Sequence, residues 1–152
     1  MEDKIRTLKK QEKLLVYLKE PKDKLIEILS ARTKQEKGGR CNISFASKFC
    51  HYACFYIFKG EDAQDNFSIY DRVVAKVLPY YLEYWKITDV DQKKLKFNKK
   101  NLDEYKEYSK AIDKVIEASG SQISRNGFDH LLWYYFKDKG KKRFKKPRKD
   151  IR

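Results

Sequence analysis

FASKFCHYACFYIF, residues Phe45–Phe58, carries a single charge, Lys48, among aromatic and small apolar side chains. A helix that is apolar all round is a buried one. The run therefore predicts a central helix with other helices packed about it. Upstream, Asn42 or Ser44 is suited to cap it. Gly38-Gly39 is the strongest breaker before it and reads as a turn. Lys22–Gln35 places Leu25, Ile26, Ile28 and Leu29 on one side of a helix, which Pro21 opens at its first turn. Glu2–Lys19 shows a looser stripe of Ile5, Leu8, Leu14, Leu15 and Leu18.

Downstream, Gly60–Asn66 (GEDAQDN) reads as a polar loop. Ser68 is placed to cap a helix over Ile69–Leu78, which Pro79 kinks or restarts toward Trp85. Lys86–Lys100 is lysine-rich and weakly periodic, a loop with a short turn. Asn101 would cap Leu102–Ala118, where Leu102, Tyr105, Tyr108, Ile112, Val115 and Ile116 follow helical spacing. Gly120 ends that helix, and Asn126–Lys137 forms the last one, carrying Phe128, Leu131, Leu132, Tyr135 and Phe136. No repeat and no hairpin-bounded alternation stands out. The fold class expected is all-α: a compact bundle of about six helices, one domain over residues 1–138, followed by a flexible basic tail over 139–152.

The chain of 152 residues has 36 Lys plus Arg against 22 Asp plus Glu, a net charge of +14. Its length suffices for a real core. Its 41% apolar and 14% aromatic content excludes a wholly disordered chain. Met1–Gln11 has no apolar region and is not a secretory signal, and no apolar run approaches the ~20 residues that cross a bilayer. Three cysteines without an export signal point to the cytoplasm and free thiols. Lys137–Arg152 (KDKGKKRFKKPRKDIR) holds ten Lys/Arg and two Asp, a net of +8. Such a charge distribution favours a polyanion, because each cation placed on a phosphate releases counterions. Arg40, Arg72, Lys141, Lys142, Arg143, Lys145, Lys146, Arg148 and Lys149 are the candidate phosphate contacts, joined by Lys93–Lys100 (KKLKFNKK).

Two residues invite chemistry. Lys48 stands near the start of the apolar helix, where desolvation and the helix dipole both disfavour an ammonium. Those conditions suit a nucleophilic amine, although a lysine snorkelling outward satisfies the same pattern. Asp71, in FSIYDRVV, suits a helix N-terminus electrostatically. The helix from Lys48 to Phe58 rises ~16 Å, and the loop after it reaches up to ~28 Å. The chain can therefore return Asp71 to the side of Lys48.

Ser44-Phe45-Ala46-Ser47-Lys48, followed 23 residues after the lysine by Ile69-Tyr70-Asp71-Arg72-Val73, resembles the core of the helix-hairpin-helix (HhH-GPD) DNA glycosylases. It is most similar to their small offshoot described as having the 8-oxoguanine glycosylase fold. The resemblance covers Asn42–Leu78, with an echo in FDHLLWYYFKDKG of the last helix. Phe45-Ala46 stands where the family has Gly-x-Gly, and Val73 where a His often follows. What the resemblance implies is a base-removing activity of base-excision-repair type. Lys48 would attack C1′ of the deoxyribose, and Asp71 would stabilise the oxocarbenium-like charge and aid proton transfer. The partner would be nucleic acid, DNA before RNA, with the base extruded from the stack. The alternatives from the same residues are a non-catalytic nucleic-acid-binding module, or a protein–protein adaptor with a solubilising tail.

Cys50, His51 and Cys54, with Cys41 or His130 as a fourth ligand, fit a metal poorly, because structural zinc prefers paired spacings from separate elements. Buried free cysteines suit the helix better, and no metal or cofactor is expected. Tyr80-Tyr81-Tyr84-Trp85 and Trp133-Tyr134-Tyr135-Phe136 offer base stacking, but core packing with hydroxyls at the rim is the expected role. Helical spacing sets Tyr81 and Trp85 on one side and Tyr80 and Tyr84 on the other. Asp129-His130 is an available acid/base pair, although a surface histidine is more often chemically idle. A monomer without membrane association, with room for a protein partner, completes the expectation.

Overall fold

The computed structural model describes residues 2, 13–20, 22–36, 42–97 and 102–137. They form six α-helices and no strand: α1 (Lys13–Lys19), α2 (Lys22–Glu36), α3 (Ile43–Ile57), α4 (Arg72–Tyr84), α5 (Leu102–Ser119) and α6 (Arg125–Phe136). Short 3-10 turns lie at Asp62–Asp65 and Gln92–Leu95. The all-α expectation holds. The former turn replaces part of the polar loop expected over Gly60–Asn66. Pro21, Gly38-Gly39, Asn101 and the 139–152 tail lie outside the described residues.

The helix expected to be central is not. α3 buries Ile43, Ala46, Ser47, Cys50, His51 and Cys54 against α1, α2 and the Asp62–Asp65 turn. Its other side leaves Phe45, Tyr52, Tyr56 and Ile57 exposed, Tyr56 at 74%. The composition is apolar all round, but neighbours cover one side only. Tyrosine tolerates this because its hydroxyl stays in water while its ring covers apolar surface. The element with neighbours on several sides is α5, which packs on α2, α4, α6 and the Gln92–Leu95 turn. Its Tyr105, Tyr108, Ala111, Ile112 and Val115 are buried, as the helical spacing requires. Gly120 ends it with φ of +65°, a left-handed conformation in which glycine has no Cβ to clash.

Ser68 does not cap a helix, and Ile69 does not begin one. Phe67, Ser68, Ile69 and Tyr70 instead form a buried, non-helical strap between α3 and α5. Side chains satisfy its backbone. His51 Nδ1–H donates to Phe67 O at 2.8 Å, Tyr105 Oη to Ser68 O at 3.2 Å, and Tyr108 Oη to Ile69 O at 2.7 Å. Ser47 Oγ accepts from the Tyr70 amide at 2.9 Å. Carbonyls held this way are not available to an α-helical ladder. The helix starts where the strap ends, with Asp71 as the N-cap: its Oδ1 accepts from Val73 N at 2.7 Å and from Val74 N at 3.3 Å. α4 then runs through Pro79 without a break. Burial pushes the Tyr105 and Tyr108 phenols well above their usual range, so both remain donors to the strap.

Candidate functional site

The junction of α3 with the strap is the first part of the site. Asn42 caps α3, its Oδ1 accepting from Phe45 N at 3.0 Å. One turn in, Ser47 Oγ donates to Ser44 O at 3.0 Å while accepting from the Tyr70 amide. Ser47 and Tyr70 are both fully buried. The residues that follow each of them are Lys48 and Asp71. One hydrogen bond therefore joins the segment that carries the lysine to the segment that carries the aspartate. Lys48 is exposed, so the desolvation that its apolar neighbours suggested does not apply: one side of α3 faces water and the amine lies on it. Asp71 is half-buried, and one of its oxygens is committed to the cap.

The second part comes from α6. Ser124 Oγ caps it by accepting from Gly127 N at 3.0 Å. Asp65 accepts from the backbone amides of Arg125 and Asn126 at 2.7 and 3.0 Å. The Arg125 guanidinium makes two bonds of 2.6 Å to Asp113 and one of 2.8 Å to Asn66 O. His51 Nε2 meets the Asn126 side chain at 2.9 Å, which ties α6 to α3. One turn before His51 stands Lys48, and one turn after Asn126 stands Asp129.

Asp129 is buried, 7% exposed, and its Oδ1 has no hydrogen-bond partner among the described residues. Burial, and then the nearby Asp71 charge, push its carboxyl up to about 7, while His130 and Lys48 pull it back. Lys48, Asp71 and Asp129 thus share one electrostatic neighbourhood. His130 is exposed and donates from Nδ1 to Asn126 O at 2.8 Å. Of the sequence pair Asp129-His130, the aspartate is the perturbed member. It shares the buried side of α6 with Phe128 and Leu132. The spacing of the three was legible in the sequence, but the proximity of Asp71 was not.

Beside Lys48 an open apolar groove of about 500 Å³ runs along α3, lined by Phe45, Phe49, Tyr52, Tyr56 and Ile57. Asp71 does not line it. Arg72 is exposed, with its guanidinium 5.9 Å from the Phe97 ring centre. Arg40, Lys141, Lys142, Arg143, Lys145, Lys146, Arg148 and Lys149 lie outside the described residues.

The aromatic clusters depart from the core role expected of them. Trp133, Tyr134 and Tyr135 are exposed, Tyr134 at 77%, because only the Phe128, Asp129 and Leu132 side of α6 is buried against the bundle. The same geometry leaves Leu131 exposed. In α4, Tyr80 and Tyr81 are both half-buried while Tyr84 and Trp85 are exposed. The division therefore runs along the helix toward its end rather than across its faces. The Lys137 amine sits 4.4 Å from the Trp133 ring centre, a cation–π contact at the edge of the exposed cluster.

Cys50 and Cys54 are buried free thiols, and burial pushes Cys50 well above its usual value. Both ring nitrogens of His51 are engaged, one by Phe67 O and one by Asn126. Among the described residues no three His, Cys, Asp or Glu cluster as metal ligands, and no helix is long and apolar enough to cross a membrane. No family model, curated protein or solved structure matches the chain.

Proposed function

We propose that the chain acts on nucleic acid, DNA before RNA, and cleaves an N-glycosidic bond by lysine chemistry at the Lys48–Asp71 seam. The observation that supports this reading is the Ser47–Tyr70 hydrogen bond, which joins the two segments that carry Lys48 and Asp71 across 23 residues of chain. A carboxylate beside a developing sugar cation, with an amine as nucleophile, is coherent chemistry for base removal. The +14 net charge supplies the attraction to phosphate. Exposed Trp133 and Tyr134 supply rings on which an extruded or single-stranded base can stack. Reduction with borohydride in the presence of abasic-site DNA tests the reading. A covalent adduct is expected from the native chain and none from Lys48→Ala.

One observation favours a second reading. Asp71 Oδ1 is spent on the α4 cap, a role that stabilises the helix without any chemistry. A non-catalytic module that binds nucleic acid through the same basic residues would give salt-dependent binding and no adduct.

A further inference from the structure

α3 carries two helical stripes. Positions 43, 46, 47, 50, 51 and 54 are buried within the chain. Positions 45, 48, 49, 52, 53, 56 and 57 repeat the same three-and-four spacing on the opposite side, and they line the open groove of about 500 Å³. Among the described residues this second stripe stays uncovered, with Phe45, Lys48, Tyr52, Tyr56 and Ile57 exposed. A contiguous exposed apolar patch marks a binding surface. Lys48 is the one charge in the groove, and no acid lines it.

Two rings of the stripe are braced. Tyr52 meets the His51 ring nearly at right angles, with centres 5.2 Å apart, and Tyr56 meets Phe55 in the same way at 5.5 Å. His51 and Phe55 stack on each other at 6.4 Å. His51 is itself fixed at both ring nitrogens, by Phe67 O and by Asn126. The two exposed tyrosines are therefore tied through ring contacts to a buried anchor. Side chains ordered beforehand lose less freedom when a ligand arrives.

We infer that this groove is the track of a single-stranded nucleic acid whose bases stack on Tyr52 and Tyr56 beside Lys48, an inference that rests on the function proposed above and narrows its substrate to single strands. Charge selects this occupant. A second copy of the chain would bring another net +14 and a second Lys48 into one apolar seam. A polyanion meets the opposite charge. A single strand also offers the faces of its bases, which a duplex keeps stacked on one another, and rings accept any base because every base has a π-face.

The test is the affinity of the full chain for a labelled oligo-dT of about 12 nucleotides and for a hairpin duplex of the same length, read by fluorescence anisotropy. The native chain is compared with Tyr52→Ala, Tyr56→Ala, Tyr52→Phe and Tyr56→Phe. The native chain is expected to prefer the single strand by at least about fivefold, the low end for one stacked base. Each alanine variant is expected to lose about tenfold on the single strand, with its salt slope unchanged because no cation is lost. Each phenylalanine variant keeps the ring and should keep the affinity. Alanine variants that bind the single strand as the native chain does overturn the inference, and so does equal native affinity for the two forms. Proton NMR of the native chain covers the case in which a variant misfolds. The ring protons of Tyr52 and Tyr56 are expected to move upfield as the oligonucleotide is added, and protons that stay in place overturn the inference. Dimerisation, or binding to phosphatidylserine vesicles, that the alanine variants abolish while DNA binding is untouched overturns it as well. The borohydride adduct separates the two readings. An adduct without ring stacking sinks only the track, and ring stacking without an adduct sinks only the lysine chemistry.

Discussion

The Tyr70 amide donates to Ser47 Oγ at 2.9 Å, and both residues are fully buried. This bond joins the second turn of α3 to the last residue of the strap before the α4 cap. It joins the segments that carry Lys48 and Asp71. Ser47→Ala leaves a buried donor without an acceptor, which costs about 1–3 kcal/mol. Chemical denaturation is expected to show that loss. The adduct rate on abasic-site DNA is expected to fall with it, under conditions where the variant is still folded. A variant as stable as the native chain would mean that the strap is held by its other hydrogen bonds alone.

Asp71 carries two roles that substitution can separate. Asp71→Ala removes the cap and is expected to cost about 0.5–2 kcal/mol of stability. Asp71→Asn keeps an oxygen that can cap and removes only the charge, so most of the stability should remain. If the carboxylate takes part in the chemistry, both variants lose adduct formation, and thermal unfolding distinguishes them. Full activity in Asp71→Asn would reduce the residue to its capping role.

Asp129 makes stability depend on pH in a defined direction. Its folded carboxyl titrates at about 7, against an ordinary value of 3.8. Below the ordinary value both states are protonated and there is no penalty. Between the two values the unfolded chain has lost the proton that the folded chain still holds, so stability falls as pH rises. Above about 7 the penalty is complete. Asp129→Asn should therefore be more stable than the native chain at pH 8, by about 2–4 kcal/mol, and close to it at pH 3.5. Unfolding midpoints at the two pH values check this, and an equal difference at both would contradict it.

On the proposed function, the basic segment over 139–152 contributes by neutralising phosphate charge. Removing it should leave the fold unchanged and flatten the dependence of nucleic-acid affinity on salt by about 0.9 logarithmic units for each phosphate no longer neutralised. Titrations of duplex and single-stranded DNA at several salt concentrations measure that slope. An unchanged slope would move the phosphate-binding cations onto the helical domain.

The helices were largely legible because their burial follows helical spacing. Tyr105, Tyr108, Ile112 and Val115 line α5 as the pattern requires. Asn42 caps α3 as its chemistry suggests. The strap was not legible, since Ser68 is as good a cap by type as Asp71. The choice between them is made by Tyr105 and Tyr108, which are distant in sequence and take the Ser68 and Ile69 carbonyls that a helix from Ile69 would need. The exposed side of α3 was hidden for a related reason. Apolar composition states what a helix can bury, whereas the elements packed around it decide what it does bury. Lys48 and Asp71 were visible as candidates, but the Ser47–Tyr70 bond between the residues that precede them was not. Asp129 was visible only as half of a surface dipeptide. Its carboxyl is raised by burial, and then by an aspartate 58 residues earlier in the chain (129 − 71).

The most direct measurement is peptide mapping of the native chain after borohydride reduction on abasic-site DNA. The account predicts that the reduced sugar is carried by the peptide containing Lys48, on that residue. A sugar carried by any other amine, or no covalent product at all, would contradict it.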